Sequence, residues 1–509
     1  MITGGIENRT AKVSLVNGLA TVLTLVFQLV SVPVCLKYWG QKSYGSWLAL
    51  LSTVAMLRSL DGGFVAYIGN KLTYLYHKDT DALRRHLSSA VTGIAVISAL
   101  QLLVAAATLV FDPLAAAFGV AAERSGGRGA QFGLLALTVS WGLTGSYLGI
   151  VHRLLIPAGM MYQAAWWGMA FQVAQFGAIM LAALLRLNML STSLLFAAAQ
   201  VVIYIASACY IRHCLPEFYP WLRGVDRATG LRDLGHSALL TGSNIIQQGT
   251  ANGIVLMIAA FTGPAAVPVF TTVRTLTNLW TSVTTVLTAP LLPEVVRLHA
   301  KAEVAKLAAI NEAFWVLVGS AVNCGALLLY PLIPFLYAQW TRHAVALDKP
   351  LLCLMLASVV VTNSGALIAL HLNGINSLRI VLAASLARAV CALGFGALGY
   401  PLLGISSLGL GILAGELAAT LMSSRFFVKH ELAGNGLQLS TTAFWPVTLG
   451  TGSALLFFVG SAFEWWSGGG SWFAAMTGVS AASIWGWNRL EPDHRRRLTS
   501  LAKKWSALT

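Results

Sequence analysis

Arg58 and Asp61 stand at i and i+3 within LRSLDGGFVAYIGNKL, residues 57–72, an otherwise apolar stretch long enough to cross a bilayer. On a helix these two positions share a face. The chemistry available to them is electrostatic. An ionisable side chain at bilayer depth costs about 2.5 to 3.5 kcal/mol on insertion scales, so it persists only where it meets a counter-charge, a wet path or a ligand. One reading makes the two residues an ion pair that lets the helix insert. The other makes Arg58 a receptor for an anion, with Asp61 as its charge partner or as a site for a coupling ion. A second intramembrane arginine, Arg274, has no acid at helical spacing in its own apolar run, which makes it the stronger candidate for binding an anion.

Polar residues recur at helical spacing in the same places. Asn17, Thr21, Thr24, Gln28 and Ser31 follow steps of 4, 3, 4 and 3 residues and so share one helix face. Thr241, Asn244, Gln248 and Asn252 form a second stripe, and Thr271, Arg274, Asn278, Thr281, Thr285 and Thr288 form a third. A single threonine in such a place is explained by a hydrogen bond between packed helices, worth about 0.6 kcal/mol. A stripe that includes an arginine asks for more, namely a water-filled path. The candidate substrate-binding residues are therefore Arg58, Arg274, Asn17, Thr21, Thr24, Gln28, Asn244, Gln248, Asn252, Asn278 and Thr281.

The elements that carry these residues are membrane helices. The chain is 57% hydrophobic and 10% charged, far from the roughly 25% charged residues of a soluble domain. Fourteen apolar runs approach the ~20 residues needed to cross hydrocarbon. They centre on 13–36, 47–67, 88–111, 131–151, 163–185, 194–210, 243–261, 267–287, 313–334, 351–372, 380–398, 407–427, 444–463 and 472–487. The fold class expected is all-α and polytopic: two six-helix lobes around a central cavity lined by spans 1, 2, 7 and 8, with two further helices at the C-terminal end. The expected segments are an N-terminal lobe over 1–212, an inter-lobe linker over 213–240, a second lobe over 241–430, spans 13 and 14 over 431–488, and a basic tail over 489–509.

Lys and Arg concentrate in the even-numbered loops and the two tails, which by the positive-inside rule predicts cytoplasmic termini. That asymmetry accounts for much of the +15 net charge, and nucleic acid is not an expected partner. The tail sequence HRRRLTSLAKKW suits anionic lipid heads. Arg388 and Glu416, on neighbouring runs, are candidates for a structural ion pair. The six cysteines are scattered without a CxxC pair, and no histidine spacing matches a metal motif, so no metal, cofactor or disulfide framework is expected. The outer loops are short, the longest running from about 112 to 129, which leaves no extramembrane domain for an enzyme's active site.

The stretches YGSWLALLSTVAMLRSLDGGFVAYIGNKL and GPAAVPVFTTVRTLTNLWTSVTTVLTAPLLPEVVRLHAKAEVAKL resemble the polysaccharide transporter branch of the multidrug/oligosaccharidyl-lipid/polysaccharide exporter superfamily. Asp61, Gly63 and Asn70 are similar to that branch's aspartate-x-glycine signature with its downstream asparagine. Pro290, Pro293, Glu294 and Arg297 are similar to its proline-rich exit from span 8. Fourteen spans rather than twelve, and a glycine at 62 in place of a bulkier residue, depart from the pattern. The resemblance implies a flippase in the bacterial cytoplasmic membrane, not an enzyme. Its substrate would be undecaprenyl-diphosphate-linked oligosaccharide for O-antigen, capsule or exopolysaccharide assembly, and its arginines would receive the diphosphate. Membrane lipids and other polysaccharide assembly proteins are the further partners implied. A cation-coupled drug antiporter of the same superfamily and a polytopic polymerase or ligase are the alternatives.

Overall fold

The computed structural model describes residues 3–76, 78–117, 128–288, 303–374, 377–429, 441–465 and 469–489. Among these residues the chain is all-helical, and each of the fourteen apolar runs falls on a helix. Ten helical segments are long and apolar enough to cross a membrane. The first of these, Gly18–Leu75, holds two of the runs. The seventh, eighth and fourteenth runs lie on helices outside those ten, and the polar stripes of the seventh and eighth are the reason. Pro290, Pro293, Glu294, Arg297 and the basic tail beyond Arg489 lie outside the described residues.

The helices group into two compact units, residues 1–271 with 340–345, and residues 272–339 with 346–509. In the first unit α1 (Thr3–Leu75) bends at Gly40, whose φ of 73° interrupts the helical dihedrals. Only glycine occupies that region of dihedral space readily, so one continuous sequence segment supplies two spans. Then come α2 (Thr80–Ala107), α3 (Asp112–Ala117), α4 (Gly129–Ser140), a π turn at Trp141–Gly145, α5 (Ser146–His152), α6 (Met161–Leu184) and α7 (Met189–Cys214). Asp79 and Asn188 start α2 and α7 by accepting the backbone N–H groups of Ala82 and Ser191 at 2.9 and 2.8 Å, which satisfies donors that a helix N-terminus leaves open. Two buried clusters hold the unit together. One is built around Trp47, Leu50, Leu134 and Phe196, the other around Phe64, Ile68, Leu87 and Leu154.

The linker forms a helix, α8 (Arg227–His236), followed by α9 (Ala238–Phe261). Asp233 of α8 is fully buried and meets Lys71 Nζ at 2.8 Å and His86 Nδ1 at 2.6 Å. Burial would raise its carboxyl, but the hydrogen bonds and charges of His86 and Lys71 outweigh that and hold it below the usual carboxylate range. α9 packs along α1 at backbone distance. A Cβ on Gly62 would come within 2.3 Å of Asn244 Nδ2, and one on Gly63 within 2.2 Å of the Thr241 backbone nitrogen. Glycine at 63 is thus a packing requirement of this chain, whereas a side chain at 62 would displace the Asn244 amide. The first compact unit therefore reaches past the linker to take in α9.

α10 (Val267–Thr288) carries the third polar stripe. In the second unit α11 (Val304–Phe314), a π turn at Trp315–Gly319, α12 (Ser320–Leu329) and α13 (Ile333–Trp340) precede α14 (Lys349–Gly374). The apolar window of α14 is 83% buried against 22% for the next helix, α15 (Leu378–Leu403), which makes α14 the unit's central helix. α15 and α16 (Ser406–Phe427) approach through Gly411 and Gly415, where a Cβ would fall 2.4 Å from the Ala392 oxygen and 2.7 Å from the Arg388 oxygen. Small residues four apart allow such close membrane helix contacts. On the same pair of helices Arg388 Nε lies 2.8 Å from Glu416 Oε1. This is a charge contact whose N–H is not aligned for a hydrogen bond. α17 (Thr441–Ala462) and α18 (Gly469–Arg489) complete the unit.

Candidate functional site: an arginine seated on an indole

Arg58 and Asp61 lie one turn apart on α1, and no Arg58 nitrogen comes within 4.0 Å of an Asp61 oxygen; Trp141 links them instead. Its Nε1 donates to Asp61 Oδ2 at 2.6 Å, while the Arg58 Cζ sits 4.1 Å from the centroid of the Trp141 ring. Ser146 Oγ donates to the same Asp61 oxygen. Asp61 is 1% exposed, and its carboxylate is occupied by these two protein donors. The guanidinium is placed by Trp141 below it and by Gln200 of α7, whose Oε1 accepts from Nη2 at 3.0 Å. Arg58 Nε is buried without a hydrogen-bond partner.

The π turn produces this geometry. Inserting one residue into the α-helical ladder widens the helix locally, and Trp141 opens that turn while Gly145 closes it. A Cβ on Gly145 would lie 2.3 Å from the indole Cε3, so the ring can fold back only over a glycine. Tyr204, one turn beyond Gln200 on α7, packs edge-on against Trp141 at 5.9 Å and against Phe171 at 4.7 Å. The indole is thereby held by α1 and α7. A guanidinium desolvated on an aromatic face gains about 2 kcal/mol, which offsets part of the cost of keeping a cation at this depth.

The other sequence candidates divide by what they touch. The Thr24 hydroxyl lies 2.8 Å from the Ala20 oxygen and 2.9 Å from Gln172 Oε1 on α6, next to a stacked Phe27–Phe176 pair at 3.9 Å. That part of the first stripe faces a neighbouring helix. Thr21 and Gln28 are half-buried, and the Asn17 side chain lies outside the described residues. Asn244 Nδ2 donates to the Ser59 carbonyl at 2.9 Å, which clamps α9 to α1 one residue from Arg58. Gln248 is exposed and its Oε1 accepts from Asn252 Nδ2 at 3.0 Å. On α10 Arg274 and Asn278 are half-buried, and Thr281 Oγ1 donates to the Asn278 carbonyl at 3.0 Å. Sequence periodicity did not single out Trp141, Ser146, Gln200 or Tyr204. The only local signal was a glycine four residues after a tryptophan in WGLTG.

No family profile and no curated protein sequence matches the chain. Solved structures do. The chain is similar to the lipid II flippase MurJ in an inward closed conformation, with a TM-score of 0.66 at 12% identity over 92% of this chain and 96% of that one. It is similar to the Vibrio cholerae MATE transporter VcmN, with a TM-score of 0.58 at 16% identity over 84% and 99%. It is also similar to an inward-facing multidrug resistance MATE family transporter of the MOP superfamily, with a TM-score of 0.59 at 15% identity over 84% and 99%. The chain is a multi-pass membrane protein with the fold shared by MurJ and the MATE transporters of the MOP superfamily.

Proposed function

We propose that the protein is a flippase that moves an undecaprenyl-diphosphate-linked oligosaccharide from the inner to the outer leaflet of the bacterial cytoplasmic membrane by alternating access. The product would feed O-antigen, capsule or exopolysaccharide assembly. The observation that carries this reading is the state of the two charges in the Trp141 cluster. Asp61 is enclosed and committed to Trp141 and Ser146, whereas Arg58 makes no ion pair among the described residues. The cluster therefore offers a cation to an anionic ligand. A drug antiporter that collects lipophilic cations needs the reverse arrangement, an accessible acid. The likeness to the lipid II flippase also spans more of this chain, 92% against 84% for the MATE structures.

The physics of the reaction suits these residues. Each sugar hydroxyl that leaves water without a partner costs a few kcal/mol, so unaided flipping of an oligosaccharide is slow. Polar side chains at helical spacing replace water around the sugar. The planar guanidinium forks of Arg58 and Arg274 suit diphosphate oxygens. Outward movement of the anion across an inside-negative membrane is favoured by about 2.3 kcal/mol per net charge per 100 mV, and the sequence contains no nucleotide-binding P-loop.

The test is the leaflet occupied by the undecaprenyl-diphosphate oligosaccharide in cells depleted of the protein. Inner-leaflet accumulation that the wild type reverses, and that Arg58→Ala and Arg274→Ala do not, is the expected result. An unchanged distribution in a strain without a second flippase, together with efflux of a lipophilic cation, would establish the antiporter instead.

A further inference from the structure

Gln200 of α7 supplies the one hydrogen bond that the Arg58 guanidinium makes among the described residues, from Nη2 to Oε1 at 3.0 Å. The other group against the guanidinium is the face of Trp141, 4.1 Å from Cζ. Both are neutral. The acid of the cluster, Asp61, accepts from Trp141 and Ser146 instead. Arg58 is half-buried whereas Gln200 and Asp61 are each 1% exposed, so the arginine is the charged member of the cluster that reaches the surface of the packed helices.

An amide at 200 is informative because glutamate has nearly the same shape. A carboxylate there would accept the same N–H and add a counter-charge, and charge-assisted hydrogen bonds are about twice as strong as neutral ones. It would also remove a cost that the amide carries. Gln200 Nε2 is buried with no hydrogen-bond partner, and such a donor loses the hydration it had in water without replacement. The α1 backbone on either side of Arg58 is held by other amides, Gln101 at the Leu57 carbonyl and Asn244 at the Ser59 carbonyl, so Gln200 acts on the side chain and not on the helix. Stability alone favours an acid at 200, since ionisable groups within a membrane usually pair with one another. What the amide preserves is the charge of the arginine.

We infer that Gln200 sets the charge selectivity of the Arg58 site: its carbonyl oxygen orients the guanidinium without cancelling it, so that the site takes an anionic phosphate or diphosphate and not a cation. This rests on the reading of Arg58 as an anion receptor. Gln200 is a positioning residue, acting through Arg58. With Asp61 present, an acid at 200 would leave two carboxylates to one arginine, the balance that suits a cation.

The test is the binding of inorganic diphosphate to the full chain in phosphatidylcholine nanodiscs, read by calorimetry, with melting temperatures of the same samples. Gln200→Glu is expected to weaken binding about tenfold, the difference between an open and a paired guanidinium, while melting no lower than the wild type. Gln200→Met keeps the length but loses the acceptor, and is expected to weaken binding about threefold and to melt lower. A residue that served only packing would give the opposite order, because glutamate keeps the hydrogen bond that methionine loses. Arg58→Ala separates the two levels of the reading. If it binds diphosphate as the wild type does, or if the wild type binds none, the anion receptor fails and this inference with it. If Arg58→Ala loses binding while Gln200→Glu keeps wild-type strength, or is weakened less than Gln200→Met, the role of Gln200 alone is overturned.

Discussion

Trp141 carries Arg58 on its face, 4.1 Å from guanidinium carbon to ring centroid, while the edge of the same indole donates to Asp61 at 2.6 Å. One side chain thus holds a cation and an anion of the same helix face apart. A direct ion pair would cancel both charges. This arrangement keeps the arginine's charge available and spends the carboxylate on orientation.

If Trp141 positions Arg58, removal of the ring should act on transport more than on insertion. Trp141→Leu is expected to lower the flipping rate about tenfold, the worth of a partly desolvated cation–π contact. Trp141→Phe keeps a ring face but loses the N–H and should fall between that variant and the wild type. Surface glycan output at matched protein levels reads both.

Gly145 and Gly149 provide a paired test of the π turn. Gly145→Ala drives a methyl into the indole and is expected to cost about 1 to 3 kcal/mol as overpacking, with transport reduced as in Trp141→Leu. A Cβ on Gly149 meets nothing within 4 Å, so Gly149→Ala should be neutral or slightly stabilising through helix propensity. Thermal unfolding in detergent, together with glycan output, compares the two.

Asp233 predicts an acid-dependent contribution to stability. Its carboxyl is held below the usual carboxylate range in the folded state, so its stabilisation is fully present above the unfolded value of about 3.9 and is lost as pH falls through the lower folded value. Asp233→Asn should therefore lower the melting temperature at pH 7, with a cost of about 2 kcal/mol for leaving Lys71 and His86 without their anion. The gap to the wild type should close as the pH is brought below the ordinary carboxylate range. Melting curves from pH 7 downward measure it.

Arg274→Ala is expected to abolish export while insertion and folding persist, and Arg274→Lys to retain less than full activity, because a lysine cannot present a planar fork to two phosphate oxygens. Glycan export by each variant at equal membrane abundance checks this, and normal export in Arg274→Ala would remove Arg274 from the mechanism.

Much of the fold was legible in the chain itself. All fourteen apolar runs fall on helices because a bilayer permits no other spanning structure for a single hydrophobic segment, and hydropathy alone marks them. Arg58, Asp61 and the polar stripes stood out for the same reason: any polar group in such a run costs free energy and requires an explanation. Arg388 and Glu416 could be matched because they lie on consecutive helices of opposite direction. What no local pattern contained was the partner of each polar group. Asp61 and Trp141 are 80 residues apart, and Arg58 and Gln200 are 142 apart; helical periodicity gives the face on which a residue lies and is silent on what packs there. Thr24 and Asn244 looked like path-lining residues, yet they bond Gln172 and the Ser59 carbonyl. The sequence by itself therefore determined which segments enter the membrane and which of them carry charge. Only the tertiary structure decided that an indole, turned back over Gly145 by one π turn, stands between the arginine and the aspartate, because that contact exists only once α1, α5 and α7 have packed.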